Sequence, residues 1–194
     1  TGSNFTRGVA AALLGDIDIK GHLDADIAVL ELDEAHAVKF VETIPPKFSL
    51  ILNVMRDQLD RFGEIDATAK MLGKIAEATT DTIVLNREDQ RVRAIKDSLS
   101  DQNVTYFGLS DQLLPHFPSD DDMRSDTVKK SKRPKADVLL TKYDDQGASF
   151  SIGSKTVSTP IKLTGIYNVF NSAAAIALVR AILGNETKDD IVLS

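Results

Sequence analysis

The first half of the chain alternates short apolar segments with helix-like stretches, and this alternation limits the folds open to it. Four segments are apolar almost throughout, as strands covered on both faces are: residues 26–32, 48–52, 82–85 and 104–107. Stretches of helical character lie between them, at residues 34–42, 67–78 and 90–99. The order predicts an α/β fold with a mostly parallel, doubly wound sheet.

The second half has a different character. Residues 110–136 are polar and contain three prolines and both charge runs of the chain, so we expect a long surface loop. Three short strands separated by turns then predict a small antiparallel meander, at residues 137–143, 148–152 and 156–161. An alanine-rich helix is expected over residues 168–183, and a further helix from residue 188.

Composition excludes several function classes. The 194 residues carry a formal net charge of −6, which argues against nucleic-acid or membrane-surface binding because both need a basic patch. The chain has no cysteine, so it has neither a thiolate nucleophile nor a cysteine zinc site. No run of 18 apolar residues occurs, so we expect one cytoplasmic domain and no integral membrane protein.

Acidic and basic side chains follow the predicted strands where each strand ends, at residues 31–34, 53–66 and 86–89. Ligands of an open parallel sheet bind beyond the carboxyl ends of its strands. Carboxylates there suit Mg²⁺, and arginines suit phosphate. The alternative is that the carboxylates are N-caps of the helices that follow them, at Asp33, Asp66 and Asp89.

Residues 53–66, NVMRDQLDRFGEID, resemble the signature of the Mur ligase superfamily central domain. The Arg-Asp-Gln-x-Asp-Arg form is similar to the MurT branch, the subunit of lipid II isoglutaminyl synthase. Agreement extends to the start of the chain, a Glu-x-Asp-Glu strand end, a loose Asn-x-Asp-Asp-Pro-x-Val turn and a Gly-x-x-Asn-x-x-Asn helix start, at residues 1–14, 28–34, 86–92 and 165–175.

This resemblance implies an ATP- and Mg²⁺-dependent amide ligase that converts a carboxylate into an acyl phosphate. The implied substrate is the D-glutamate carboxylate of lipid II, a peptidoglycan precursor, at the inner face of the membrane. The implied partner is a GatD-like glutamine amidotransferase, which supplies ammonia, and the product is D-isoglutamine. Positioning and charge neutralisation supply most of the rate in such phosphoryl transfer.

The resemblance also assigns roles to single residues. It implies that Glu31 and Asp57 are catalytic, and that Mg²⁺ is held by Glu31, Asp33 and Glu34. Four residues are implied to bind the nucleotide: Asn53, Arg56, Asn168 and Asn171. Simpler roles stay open, with Glu31 ending a strand, Asp57 capping a turn, Arg56 pairing with a neighbouring aspartate and Asn168 capping its helix.

Departures from the family pattern are also present. No Gly-x-x-x-x-Gly-Lys phosphate loop occurs, so we expect residues 1–194 to be a central domain whose loop precedes Thr1 and which alone hydrolyses no ATP. MurT proteins carry a four-cysteine zinc ribbon where this chain has residues 110–136, so we expect no zinc. Gln58 replaces a metal-binding histidine of the superfamily.

Two other functions remain open on the sequence. One is an ordinary Mur or folylpolyglutamate-type ligase that joins an amino acid. Gln58 and the Arg-Asp-Gln string argue against it. The other is a non-catalytic scaffold that kept the Mur-like fold, which the missing phosphate loop favours.

Overall fold

A computed structural model describes residues 6–54, 65–118, 132–162 and 165–184. Its helices are α1 (Thr6–Asp16), α2 (Glu34–Thr43), α3 (Ile65–Ala78), α4 (Gln90–Ala94) and α5 (Ile166–Leu183). Short 3-10 helices span Ile95–Ser98 and Leu114–His116. The strands are β1 (Phe48–Ile51), β2 (Thr82–Asn86), β3 (Asn103–Leu109), β4 (Val138–Asp144), β5 (Gly147–Ile152) and β6 (Lys155–Thr159).

The described strands form one six-stranded sheet in the order β1-β2-β3-β4-β5-β6. Strands β1 to β4 run parallel, and β4, β5 and β6 are joined as an antiparallel meander. Gly153 turns the chain between β5 and β6 with a φ of +62°, a conformation that glycine adopts without strain. The predicted α/β class, the mostly parallel sheet and the meander are all confirmed.

Helices cover both faces of the parallel part of the sheet, because its central strand is apolar on both sides. Val84 of β2 belongs to the core cluster beneath α5, whereas Ile83 and Leu85 belong to the cluster beneath α3 and α4. All three side chains are fully buried. This is the doubly wound arrangement that the near-continuous apolar strands predict.

Helix α5 packs across β1 to β4 and supplies much of the core on its face. Phe170, Ala173, Ala174 and Ala177 are buried there, and the small alanines let the helix lie close to the strands. Among the described residues, α5 is the one helix long and apolar enough, by length and composition, to cross a membrane. Its packing against the sheet is that of a core helix.

The predicted strand at residues 26–32 is wrong. In the described part of the chain these residues form no strand, and they are exposed: Val29 keeps 83% of its accessible surface and Ile27 keeps 55%. A short apolar segment becomes a strand only where a neighbouring strand pairs with it. Among the described strands β1 is the last on this side of the sheet, and none of them pairs with residues 26–32.

The other helices and strands predicted within the described residues are confirmed with shifted ends. The helix expected at residues 90–99 divides into α4 and the 3-10 turn Ile95–Ser98. The expected loop at 110–136 includes the 3-10 helix Leu114–His116, and its residues 119–131 lie outside the described part. The helix predicted from residue 188 also lies outside it, and the proposed domain limits stay predictions.

Candidate functional site

The carboxyl ends of β1, β2 and β3 meet at one edge of the sheet, where open parallel sheets bind their ligands. A cavity of about 440 Å³ opens at this edge. It is lined by the residue after β2, by the last residue of β3 and the three residues after it, and by two residues of β4: Arg87, Leu109, Ser110, Asp111, Gln112, Leu139 and Thr141. The polar members of this set give the cavity groups that can hydrogen-bond to a ligand.

A buried ion pair forms the inner wall of this edge. Arg87, only 8% exposed, donates from Nε and Nη2 to Oε1 of Glu88 at 2.9 and 2.7 Å. Its Nη2 also donates to the Leu109 carbonyl at 2.5 Å, and the Leu109 amide donates to Glu88 Oε1 at 2.8 Å. These bonds join the turn after β2 to the end of β3. Arg87 and Glu88 can both be buried because each satisfies the charge of the other, and either charge would be costly to bury alone.

Arg133, near the C-terminal end of the polar segment 110–136, adds to this network. Its Nη1 donates to Glu88 Oε2 at 2.9 Å, and its Nη2 donates to Asp111. Burial acts to lower the pKa of Arg133, but the hydrogen bonds and charges of Glu88 and Asp111 raise it above its ordinary value. The guanidinium therefore stays charged, and it holds the chain before β4 against the cavity.

Gly108 of β3 makes room for the ion pair. A Cβ added there would lie 2.6 Å from Glu88 Oε1 and 2.8 Å from Arg87 Nε. Both distances are shorter than those between Cβ atoms and other heavy atoms in proteins. The backbone of β3 is held at this point by pairing with Leu139 of β4. Glycine leaves room for both charged side chains here, and a larger residue would displace one of them.

Asp89 joins two loops of the edge. Its Oδ1 accepts from the amides of Arg91 and Val92 at 2.9 and 3.0 Å and so caps helix α4. Its Oδ2 accepts from the amide of Val54 at 2.8 Å, in the segment that follows β1. The cap predicted at Asp89 is confirmed, and the bond to Val54 is an addition that local sequence does not indicate.

Caps at the other two aspartates differ from expectation. Asp33 precedes α2 at the N-cap position, but its side chain makes no cap hydrogen bond; Oδ1 lies 3.0 Å from Nδ1 of His36. Asp66 lies inside the first turn of α3, because that helix begins one residue earlier, at Ile65. It accepts instead from Nε of Arg91 at 3.1 Å.

The residues predicted to hold Mg²⁺ lie before and at the start of α2. Glu31 is exposed, Asp33 is buried beside His36, and Glu34 is the first, half-buried residue of the helix. Within the described residues, no group of three or more His, Cys, Asp or Glu side chains is placed to hold a metal ion. The described residues therefore do not complete a cation site, and these three ligands stay predictions.

The residues predicted to bind nucleotide lie in two described places. Asn53 is exposed two residues after the end of β1 and precedes Val54, whose amide donates to Asp89. Asn168 and Asn171 are exposed in the first two turns of α5, near the carboxyl edge. Helix α5 begins at Ile166 after Gly165, so the alternative that Asn168 is its N-cap is wrong. Arg56, Asp57 and Gln58 lie outside the described residues.

A second depression of about 410 Å³ lies beside β3. Its lining includes Tyr106, Asp97 and the cations Arg93, Lys96, Lys132 and Arg133. Burial raises the pKa of Tyr106, the charges of Asp97 and Asp137 add to the rise, and Arg93 opposes it. The phenol is therefore neutral at physiological pH and can donate a hydrogen bond.

Comparison with known proteins identifies this architecture. Residues 18–179 match the Mur ligase middle domain family. The chain belongs to the Mur ligase family. It is 29% identical, over 93% of its length, to the MurT subunit of the glutamine-hydrolysing lipid II isoglutaminyl synthase of Streptococcus pneumoniae. It is also 31% identical, over 81% of its length, to the UDP-N-acetylmuramoylalanine–D-glutamate ligase of Burkholderia cenocepacia.

A solved Mur ligase has the same fold. The MurF ligase of Thermotoga maritima, determined in complex with ADP, superposes on 87% of this chain with a TM-score of 0.59 and 17% identity. The chain spans 45% of the MurT relative, 33% of the D-glutamate ligase and 36% of the MurF chain. The Mur ligase fold and a relationship to ligases are thus established for this chain.

Sequence reasoning missed most of the charged network of this Mur ligase domain. From the sequence, Arg87 and Glu88 are charged residues after a strand, and local sequence indicates neither Arg133 as the partner of Glu88 nor Asp111 as the partner of Arg133. Glu88 and Arg133 lie 45 residues apart along the chain, and Asp111 and Arg133 lie 22 apart. Gly108, the residue before the last of β3, is a local signal of a close approach.

Proposed function

We propose that this chain is the nucleotide-binding middle domain of a MurT-type amide ligase. In this proposal the complete enzyme amidates the D-glutamate carboxylate of lipid II, at the cytoplasmic face of the membrane, with ammonia from a glutamine amidotransferase. The observation that carries the proposal is the similarity to a MurT subunit over 93% of the chain. The Arg-Asp-Gln string of residues 56–58 adds to it.

The proposed reaction has two steps. An oxygen of the substrate carboxylate attacks the γ-phosphorus of ATP, and ADP leaves with the electrons of the broken bond. The nitrogen of ammonia then attacks the acyl carbon, phosphate leaves, and the phosphate takes up the proton that the nitrogen loses. Such a reaction depends on fixed positions for the reacting groups.

The chain's own residues supply binding and rigidity in this scheme. Asn168 and Asn171 lie one turn apart on α5, and their amides offer both donors and acceptors to an adenine ring. The Arg87–Glu88 pair holds the ends of β2 and β3 in register beneath the cavity. Glu31 would be a ligand of Mg²⁺, and within the described residues no group of three or more such side chains is placed to complete the site.

A second candidate is a ligase that adds D-glutamate to a UDP-linked precursor. The similarity to the Burkholderia cenocepacia ligase, at 31% identity over 81% of the chain, favours it. The two candidates differ in the nitrogen nucleophile, which is ammonia in one case and an amino acid in the other. They are therefore separable in one assay.

The test supplies the full-length protein with ATP, Mg²⁺ and either lipid II with ammonium or UDP-N-acetylmuramoylalanine with D-glutamate. Mass spectrometry identifies the product. Amidated lipid II supports the MurT-type function, and the D-glutamate adduct supports the second candidate. If neither product forms and phosphate release stays at background, both candidates are contradicted.

A substitution pair tests the nucleotide contact. Asn171→Ala removes an exposed amide from α5 and keeps a strong helix former, so folding is retained. We expect the KM for ATP to rise about tenfold, the worth of one hydrogen bond to a ligand. Asn103→Ala, at the exposed amino end of β3, is the matched control and leaves the KM unchanged. Equal KM values for both variants would remove Asn171 from the site.

A further inference from the structure

The carboxylate of Asp89 is shared between two segments that are far apart in sequence. One oxygen accepts from the amides of Arg91 and Val92 at the start of α4, and the other accepts from the amide of Val54, 35 residues earlier. Hydrogen bonds from several backbone amides to one carboxylate are charge-assisted and strong. Val54 is 4% exposed, so its amide depends on this partner.

The first turn of α4 also contacts a second segment of the chain, through Arg91. Arg91 donates from Nε to Asp66 at 3.1 Å, and Asp66 lies in the first turn of α3. Val54 and Asp66 stand on either side of residues 55–64, within the stretch that resembles the Mur ligase signature. The first turn of α4 therefore fixes the two described flanks of that stretch.

We infer that Asp89 is a positioning residue, which acts through Val54 to place Asn53 for contact with the nucleotide. The inference rests on the proposed function, in which Asn53 binds ATP. Asn53 is exposed and lies two residues beyond Ile51, the last residue of β1, so the strand holds one side of it and the bond from Val54 to Asp89 holds the other. Without that bond Asn53 is fixed from one side only.

Capping alone does not require an aspartate at this position. Asparagine and serine cap helices about as well as aspartate. Each has a single acceptor oxygen, however, so neither can serve α4 and Val54 at once. Asp89→Asn and Asp89→Ser therefore keep the cap and lose the tether.

A matched control is available at Asp137. One oxygen of Asp137 accepts from the amide of Tyr106 at 2.8 Å, which also links two segments of the chain. Asp137→Asn makes the same change of charge, but its remaining oxygen can still accept from Tyr106. It should behave like the unsubstituted protein.

The experiment measures hydrogen exchange of the Val54 amide and ATP kinetics in the full-length protein. We expect both Asp89 variants to exchange the Val54 amide at least tenfold faster and to raise the KM for ATP about tenfold, with a smaller change in kcat. Asp137→Asn should change neither. A loss of folding alone would lower the active fraction and leave the KM unchanged.

Two results would overturn the inference. Unchanged Val54 exchange in both Asp89 variants would show that no tether exists in solution. Faster exchange with an unchanged KM would show a tether that positions nothing. If the unsubstituted protein makes no amidated lipid II, the proposed function fails by itself, and nucleotide affinity measured by ATP titration then replaces the KM.

Discussion

Replacing Gly108 by alanine tests whether the buried ion pair determines the geometry of the carboxyl edge. The added methyl group would lie 2.6 Å from Glu88 Oε1 and 2.8 Å from Arg87 Nε. Carbon makes favourable contacts at about 3.5–4.0 Å, so something must move. Strand β3 cannot easily withdraw, because Gly108 pairs with Leu139 on one side and its neighbour Leu109 is bonded to both charged residues.

The loss of stability in Gly108→Ala depends on which of two responses the structure makes. Overpacking a well-filled interior costs about 1–3 kcal/mol. If the Glu88 carboxylate moves aside instead, the amide of Leu109 loses its partner, and a buried unsatisfied donor costs about 1–3 kcal/mol. Either response predicts a loss of about 1–3 kcal/mol in the free energy of unfolding. For a domain of this size that lowers the Tm by about 2–12 °C.

The assay is thermal and urea unfolding followed by circular dichroism, with Gly73→Ala as the matched control. Gly73 lies within α3, and a Cβ there meets nothing within 4 Å. Alanine is favoured over glycine in a helix by about 0.5–1 kcal/mol, so the control should be more stable than the parent protein. The same substitution thus has opposite signs at the two sites.

The reasoning is refuted if Gly108→Ala unfolds at the same temperature as the parent protein. It is also refuted if the variant is destabilised while Glu88 and Arg87 keep their positions in its structure. The first result would mean that the ion pair is displaced without cost. The second would place the strain elsewhere in β3.

Two further predictions concern pH and the core. Burial raises the pKa of Tyr106 above 10.0, so the folded state holds the phenol proton more tightly than the unfolded state does. This difference stabilises the folded state fully below pH 10.0, and the stabilisation is lost as the pH rises through the raised pKa. Tyr106→Phe should reduce the fall in the urea midpoint of unfolding between about pH 8 and about pH 11. Phe170→Ala should cost about 3–5 kcal/mol in urea unfolding, because its ring is 8% exposed and packs 5.2 Å from that of Phe107. A loss below about 1 kcal/mol would contradict the packing described for α5.

Most elements of the fold could be predicted because their signals are local. Strand β2 is apolar on both faces, and this pattern alone indicates a central strand between two helical layers. The meander follows from three short strands and the turn residues between them. Residues 26–32 have the same apolar pattern and form no strand, because strand formation also needs a partner at the right place.

The candidate site was only partly predictable. The cap at Asp89 follows from its place before a helix, and the carboxyl edge follows from parallel topology. The bonds from Asp89 to Val54 and from Arg133 to Glu88 join residues 35 and 45 positions apart. Local propensity contains no information about such pairs, since it reflects only the neighbours of each residue along the chain.

The sequence by itself determined the alternation of strands and helices, the two-sided burial of β2 and the relationship to Mur ligases, because periodicity and motif spacing are written in neighbouring residues. Tertiary structure alone decided which apolar segments pair, that Arg133 contacts Glu88, and that the missing side chain of Gly108 leaves room for the ion pair. The physical reason is that desolvated charges and strand edges are satisfied only by groups that folding brings from elsewhere in the chain.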